Sequence, residues 1–299
     1  MTGNLLAMLS AAAAETGGEF DISEMILHHL ADSHTWETPF GVVNLPQFAP
    51  VHIGPLTVDF SITKHVLFMM IAAVMVAITL IIAGRDAARE RTAGAERGPK
   101  GAANVVEAMI LFIRDEVAVK NIGHDGAKYT PFIASIFFFI LFCNALGLLP
   151  WGASPTGNVS VTAALAIMTF IMVEAAGMKA LGAGYLKTIV YWPHDMPLSV
   201  KLPMTFIMTP VELMGKFTKP FALTMRLYAN MTAGHAVVLA LTGLAVMSAL
   251  AGAKFIGIAL APVVMATAIM ILEIGVAFLQ AYIFAMLTAV FIGLIKHAH

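Results

Sequence analysis

The sequence predicts an all-α, polytopic membrane protein with about five membrane-crossing helices, the last two long and tilted. Three observations carry that class. Of 299 residues, 59% are hydrophobic and 12% charged, about half of the roughly 25% charged residues that soluble domains carry. Mean hydropathy is +0.86. The charges are gathered into a few stretches that leave five long apolar regions between them. A net charge of −1 gives no basic footprint for nucleic acid. The single cysteine, Cys143, excludes an internal disulfide framework. No Walker-type glycine loop, GxSxG elbow or paired Cys/His zinc spacing occurs. No catalytic residue, cofactor or metal site is therefore expected.

Residues 1–63 read as an extension ahead of a membrane domain at 64–299. Its apolar run Leu5–Ala14 has no basic residue before it, which argues against a cleaved signal peptide. The HHLADSH stretch (His28–His34) has metal-binding residue types, but a solvated segment is the simpler reading. The first span is Val66–Ala83, flanked by Lys64 and Arg85 and assigned to 64–84. A polar loop at 85–128 follows, then two spans within 129–177, about Phe132–Trp151 and Val159–Gly177. A second loop at 178–201 leads to 202–299. There two regions, about Leu202–Ala253 and Phe255–Ile295, exceed the ~20 residues a spanning helix needs. As a helix, Phe255–Ile295 would be about 60 Å long, twice the hydrocarbon thickness. It must either break, with Pro262 as the place, or tilt. The two regions form a helical hairpin joined near Gly252–Lys254.

Lysine and arginine placement sets the orientation. None occurs before Lys64, whereas 85–128 carries Arg85, Arg89, Arg91, Arg97, Lys100, Arg114, Lys120 and Lys128. The positive-inside rule puts the N-terminus outside and this loop in the cytoplasm. Five crossings then leave the C-terminus inside, beside Lys296. Within the loop, Asn104–Val119 has apolar residues at Val105, Met109, Phe112 and Ile113, with Glu107 and Arg114 among them. That pattern predicts an amphipathic helix on the cytoplasmic membrane surface.

The polar residues inside the apolar regions are few. Between Pro220 and Ala253 the one fixed charge is Arg226, and a guanidinium cannot shed its proton to enter lipid. On a helical wheel Asn230 lies about 40° and Ala233 about 20° from it, with Ala222, Ala229 and Ala240 within about 60°. Such a track of small residues lets another helix come close. His235 falls on the opposite side, with Tyr228 and Thr224 near it. Glu273 is the one charge in Phe255–Ile295, and Gln280 shares its face within about 20°, with Thr288 about 60° away. Glu212 precedes Arg226 on nearly the same face if the helix continues through Pro220. On spacing alone other readings stay open. Arg226 can snorkel past Pro220, Arg226 and Glu273 can form a structural ion pair, and His235 can be an ordinary packed histidine. Glu174, late in its span and close to Lys179, is expected to snorkel. A fixed cation near a titratable His/Glu pair nevertheless points to proton handling, because intramembrane ionisable groups mark ion paths.

Five segments carry a family resemblance: RLYANMTAGH (Arg226–His235), PVELMGKFTKP (Pro210–Pro220), QAYIF (Gln280–Phe284), NALGLLP (Asn144–Pro150) and PTGNVSVTAAL (Pro155–Leu165). Together they resemble subunit a of the F-type ATP synthase, over roughly the last four-fifths of the chain. The resemblance implies a stator pressed against a ring of c subunits, with the b-subunit peripheral stalk and membrane lipid as further partners. Protons would reach the c-ring carboxylates by one half-channel and leave by another. Arg226 matches the essential arginine and Asn230 the asparagine one turn on. Glu212, His235, Glu273 and Gln280 match polar positions of the ion path, Glu212 on its cytoplasmic side. Many bacterial members carry glutamate where this chain has His235 and histidine where it has Glu273. The exchange, also seen in mitochondrial members, keeps one imidazole and one carboxyl in the pair. A Na⁺-translocating version of the subunit is an alternative. A secondary transporter would need inverted repeats, none of which is visible, and a purely structural assembly subunit would need no titratable pair.

Overall fold

The computed structural model describes residues 22–38, 41–49, 51–53, 56–59, 61–93, 102–149, 151–182, 184–185, 197–250 and 256–296. The Leu5–Ala14 run, Arg97, Lys100 and the joint at Gly252–Lys254 lie outside them. Helix α1 (Ile22–Leu30) precedes two antiparallel hairpins, β1 (Thr35–Thr38) with β2 (Gly41–Asn44) and β3 (Val51–Ile53) with β4 (Leu56–Val58). Then follow α2 (Lys64–Ala93), α3 (Ala102–Phe112), α4 (Thr130–Gly147), α5 (Val159–Leu181), α6 (Leu198–Leu250) and α7 (Ile256–Lys296). Among the described residues, α2, α4, α5, α6 and α7 are long and apolar enough to cross a membrane, matching the five predicted crossings. Large apolar side chains such as Met70, Val74, Ile78 and Ile81 of α2 are exposed, the arrangement a hydrocarbon surround favours over water.

Helices α6 and α7 are unbroken. Helix α6 runs through Pro203, Pro210 and Pro220, and α7 through Pro262. Membrane helices tolerate interior proline because nearby hydroxyls and neighbouring helices take up the freed backbone groups. Of the two alternatives for Phe255–Ile295, the break at Pro262 is absent, which leaves tilt as the way a helix about 60 Å long fits a ~30 Å core.

The chain divides into two compact units. The first comprises Met1–Ala72, Cys143–Asn158 and Tyr228–Phe278. In it, residues 32–36 are stitched to the start of α2. Asp32 Oδ1 lies 2.8 Å from His65 Nδ1, and the Lys64 amide donates to the Ser33 carbonyl at 2.8 Å. The Trp36 indole packs edge-on against Phe68 and donates to the Trp151 carbonyl at 2.8 Å. These hairpins carry no sequence signal, because their three- and four-residue strands are too short for an alternating pattern to stand out.

The second unit comprises Ala73–Phe142, Val159–Leu227 and Leu279–His299. Its core joins Ile133, Phe137 and Ile140 of α4, Leu165 of α5, Leu227 of α6, and Phe284 and Ile292 of α7. Ala281, Ala285 and Ala289, one turn apart, form a buried small-residue seam along α7, and such seams allow close helix approach. Asp125 accepts from Lys128 Nζ at 2.7 Å and Lys296 Nζ at 3.2 Å, fastening the end of α7. Lys128, then Lys296, hold its carboxyl down at about 2.

Two predicted elements differ. The first span continues as helix past Ala83 to Ala93. The single amphipathic helix expected over 104–119 is α3 followed by a π-helical segment, Ile113–Val119. The wider turn moves the buried face to Ile113, Val117, Ala118 and Ile122, at spacings of four and five rather than three and four. Val105 and Phe112, on the apolar side of the expected surface helix, are exposed.

Candidate functional site

In the first unit, α6 and α7 bring His235 and Glu273 together. His235 Nδ1 lies 3.5 Å from Glu273 Oε1, with the two side chains 20% and 5% exposed. Glycine makes the approach feasible. A Cβ on Gly234 would stand 2.6 Å from Glu273 Oε1, so only a hydrogen leaves room for the carboxyl. A Cβ on Gly147, the last residue of α4, would meet the Ser154 side chain and stand 3.0 Å from His235 Nε2. Both His235 Nε2 and Glu273 Oε1 are buried without a hydrogen-bond partner. Buried polar atoms in that state are places for ordered water. An imidazole and a carboxyl at this separation can exchange a proton directly or through one water.

A buried polar chain stands in the same unit. Asn144 donates to the Ala277 carbonyl at 3.2 Å and accepts from Thr156 Oγ1 at 2.6 Å, and the Ser154 and Thr156 hydroxyls are 2.7 Å apart. Asn144 and Thr156 fall inside segments singled out in the sequence, but nothing in their spacing marked them as partners. The signal available was an asparagine in an otherwise apolar span, where an amide needs a buried partner.

In the second unit, Arg226 is exposed and pairs with no carboxylate among the described residues. Ala222 on its side of α6 is exposed too; in the part of α6 that belongs to the first unit, Ala229 and Ala233 are exposed and Asn230 is half-buried. The guanidinium therefore neither folds inward nor meets a counter-charge among the described residues. Gln280 on α7 is buried, as is Thr288, whose hydroxyl donates to the Phe284 carbonyl at 2.8 Å.

The same unit encloses a cavity of about 390 Å³ lined by Glu212 with Glu174, Lys216 and Lys219 and an apolar wall. Glu174 corrects the sequence expectation. It does not snorkel beside Lys179 but pairs with Lys216 Nζ at 3.1 Å, both side chains largely buried. Lys216 also donates to the Tyr185 hydroxyl at 3.1 Å. The partner lies 42 residues away on another helix, beyond the reach of a single-helix wheel.

Comparison with known proteins now decides the family. Residues 48–293 match the family described as ATP synthase A chain. The chain belongs to that family. It is 41% identical over 287 residues to ATP synthase subunit a 2 of Chlorobaculum tepidum, covering 95% of this chain and 76% of that protein. Similarity to subunit a of Chloroherpeton thalassium is 45% over 272 residues, covering 90% and 75% of the two chains. For subunit a of Myxococcus xanthus it is 47% over 244 residues, covering 79% and 73%. The first of these alignments reaches into residues 1–60, for which the sequence alone suggested no counterpart. As an ATP synthase subunit a, the chain is a non-catalytic, multi-pass proton-channel subunit of the FO sector and a member of the F1FO complex.

Proposed function

We propose that this subunit a moves protons to and from the carboxylates of a c ring through two half-channels kept apart by Arg226. The observation that carries this reading is a guanidinium exposed on a small-residue face of a membrane helix, with no acidic partner among the described residues. Burying an arginine at the bilayer centre costs about 2.5–3.5 kcal/mol or more. A c-ring carboxylate brought against that face supplies the missing counter-charge. At an effective dielectric of about 20, two unit charges 4 Å apart attract by about 4 kcal/mol. That attraction draws the proton off each carboxylate as it arrives, and the fixed positive charge bars direct leakage between the channels. Asn230 and Gln280 are further polar positions of the ion path, and the b-subunit stalk holds the subunit still.

His235 and Glu273 belong to the half-channel from the outer side, and Glu212 in its cavity to the one that opens inward. The subunit sits in a bacterial plasma membrane, N-terminus outside and C-terminus inside, as the basic residues of 85–128 direct.

Arg226→Lys tests the reading, because lysine can lose its proton and lacks the planar fork. The complex should assemble with normal subunit content yet show no ATP-driven acidification in inverted vesicles. Normal pumping would sink the assignment. Glu212→Cys, in a background lacking Cys143, should react with a membrane-impermeant thiol reagent supplied from the cytoplasmic side. Labelling from the outer side alone would move Glu212 to the other channel.

A further inference from the structure

The ion pair in the cavity is not explained by stability. Removing two charges from water costs several kcal/mol per ion, and an apolar pair of similar volume is often as stable or more so. Glu174 and Lys216 nevertheless meet at 3.1 Å with side chains 15% and 13% exposed. Lys216 is further fixed by the Tyr185 hydroxyl at 3.1 Å and by the Tyr185 ring, 4.6 Å from centroid to Nζ. The cavity is also wet in character, since the Thr169 hydroxyl on its wall is buried without a partner.

The sequence position of Lys216 gives the pair its meaning. Lys216 follows Glu212 by one helical turn on α6, and a glutamate four residues ahead of a lysine is the favourable order for pairing along a helix. Glu212 is nonetheless exposed in the cavity and unpaired among the described residues. Lys216 has two carboxylates within reach and is held by the one on α5.

We infer that Glu174 is a positioning residue for proton release: it captures the Lys216 ammonium and so keeps the Glu212 carboxylate free to exchange protons. This rests on the reading of Glu212 as part of the inward half-channel. The charged groups lining the cavity are Glu174 from α5 and Glu212, Lys216 and Lys219 from α6, while α7 supplies only Phe291, Leu294 and Ile295. Lys219 is turned over the Phe291 ring, 5.2 Å from its centroid. With Glu174 neutralised, Lys216 swings to Glu212 and holds it as a carboxylate. An opposite charge at that range changes the proton occupancy of a carboxyl by about tenfold or more.

The test uses the assembled F1FO complex in vesicles, with ATP-driven acidification and subunit content read together. Glu174→Gln should lower pumping about tenfold in a fully assembled complex. Adding Lys216→Gln should recover most of the lost rate, because no ammonium remains to occupy Glu212. A merely structural pair predicts a different split: Glu174→Gln lowers subunit content, while the complexes that do assemble pump at the normal rate. Should Glu174→Gln fail to assemble, the double variant, which leaves no unpaired ion, still decides. If it fails to assemble, or assembles and pumps slowly, the inference is overturned. Normal pumping by an assembled Glu174→Gln also overturns it. Glu212→Gln separates the two layers. Normal pumping there removes the reading of Glu212 itself, whereas slow pumping there beside a normal Glu174→Gln removes only the role of Glu174.

Discussion

Adding one methyl group at Gly234 should weaken the proposed proton relay without weakening the fold. The Cβ of an alanine there would stand 2.6 Å from Glu273 Oε1 and 3.1 Å from its Cδ. Ordinary van der Waals contact needs about 3.5 Å, so the carboxyl must recede by about 0.9 Å. It is the tip of a flexible side chain, and it can move, but it moves away from the imidazole now 3.5 Å off. Consider the step in which the imidazole holds the proton and the carboxylate is bare. At an effective dielectric of about 20 their attraction falls from about 4.7 to about 3.8 kcal/mol. The loss of about 1 kcal/mol corresponds to a rate reduction of about fivefold. Helix propensity works in the other direction, since alanine is favoured over glycine by about 0.8–1.0 kcal/mol within a helix. Gly234→Ala should therefore assemble at least as well as the parent complex and pump about fivefold more slowly. Dye-quench measurement of ATP-driven acidification, normalised to subunit content, reads both quantities. Normal pumping by the assembled variant would refute the reasoning, because the 3.5 Å contact would then carry nothing.

Three further outcomes concern the His235–Glu273 pair and two glycines elsewhere in the chain. His235→Ala and Glu273→Ala should each slow acidification strongly, and the exchange His235→Glu with Glu273→His should recover part of the rate; additive losses in the double exchange would show that the residues act independently. Gly293→Ala should lower the melting temperature of the complex, because its Cβ would strike the Asn121 backbone carbonyl, and overpacking of that kind costs about 1–3 kcal/mol. Gly177→Ala should cost less by the same measurement, since its Cβ meets only the Ile295 side chain, which can yield where a backbone carbonyl cannot.

Much of the membrane topology was legible because it depends on composition along one strand of sequence. Runs such as Val66–Ala83 announce a spanning helix without reference to any neighbour. The small-residue track around Arg226 was legible for the same reason, since a wheel needs only one helix. Contacts between elements were harder. The position of Glu174 late in its span, five residues before Lys179, predicts that it snorkels, but it meets Lys216 from another helix at 3.1 Å. Proximity in sequence was a poor guide where a more buried lysine could be reached in space. The π-helical turn at Ile113–Val119 escaped because a fixed 100° step cannot register one extra residue per turn. The Asn144–Thr156–Ser154 chain escaped for a different reason. A Ser-Pro-Thr-Gly stretch reads as a turn, and only the fold shows its hydroxyls turned inward.

The exposed guanidinium of Arg226 has a consequence for the life of the subunit in the cell. On the proposed reading, a newly inserted copy carries a bare positive charge on its lipid-facing surface until a ring arrives to cover it. In that interval the orphan is the less stable species, by about the 2.5–3.5 kcal/mol that an uncompensated arginine costs in the bilayer. An energy gap of that size shifts a population about a hundredfold. The residue assigned to proton coupling thus also marks an unassembled subunit as unfinished. Synthesis without a c ring would leave a pool biased toward misinsertion and proteolysis, so that subunit abundance follows assembly.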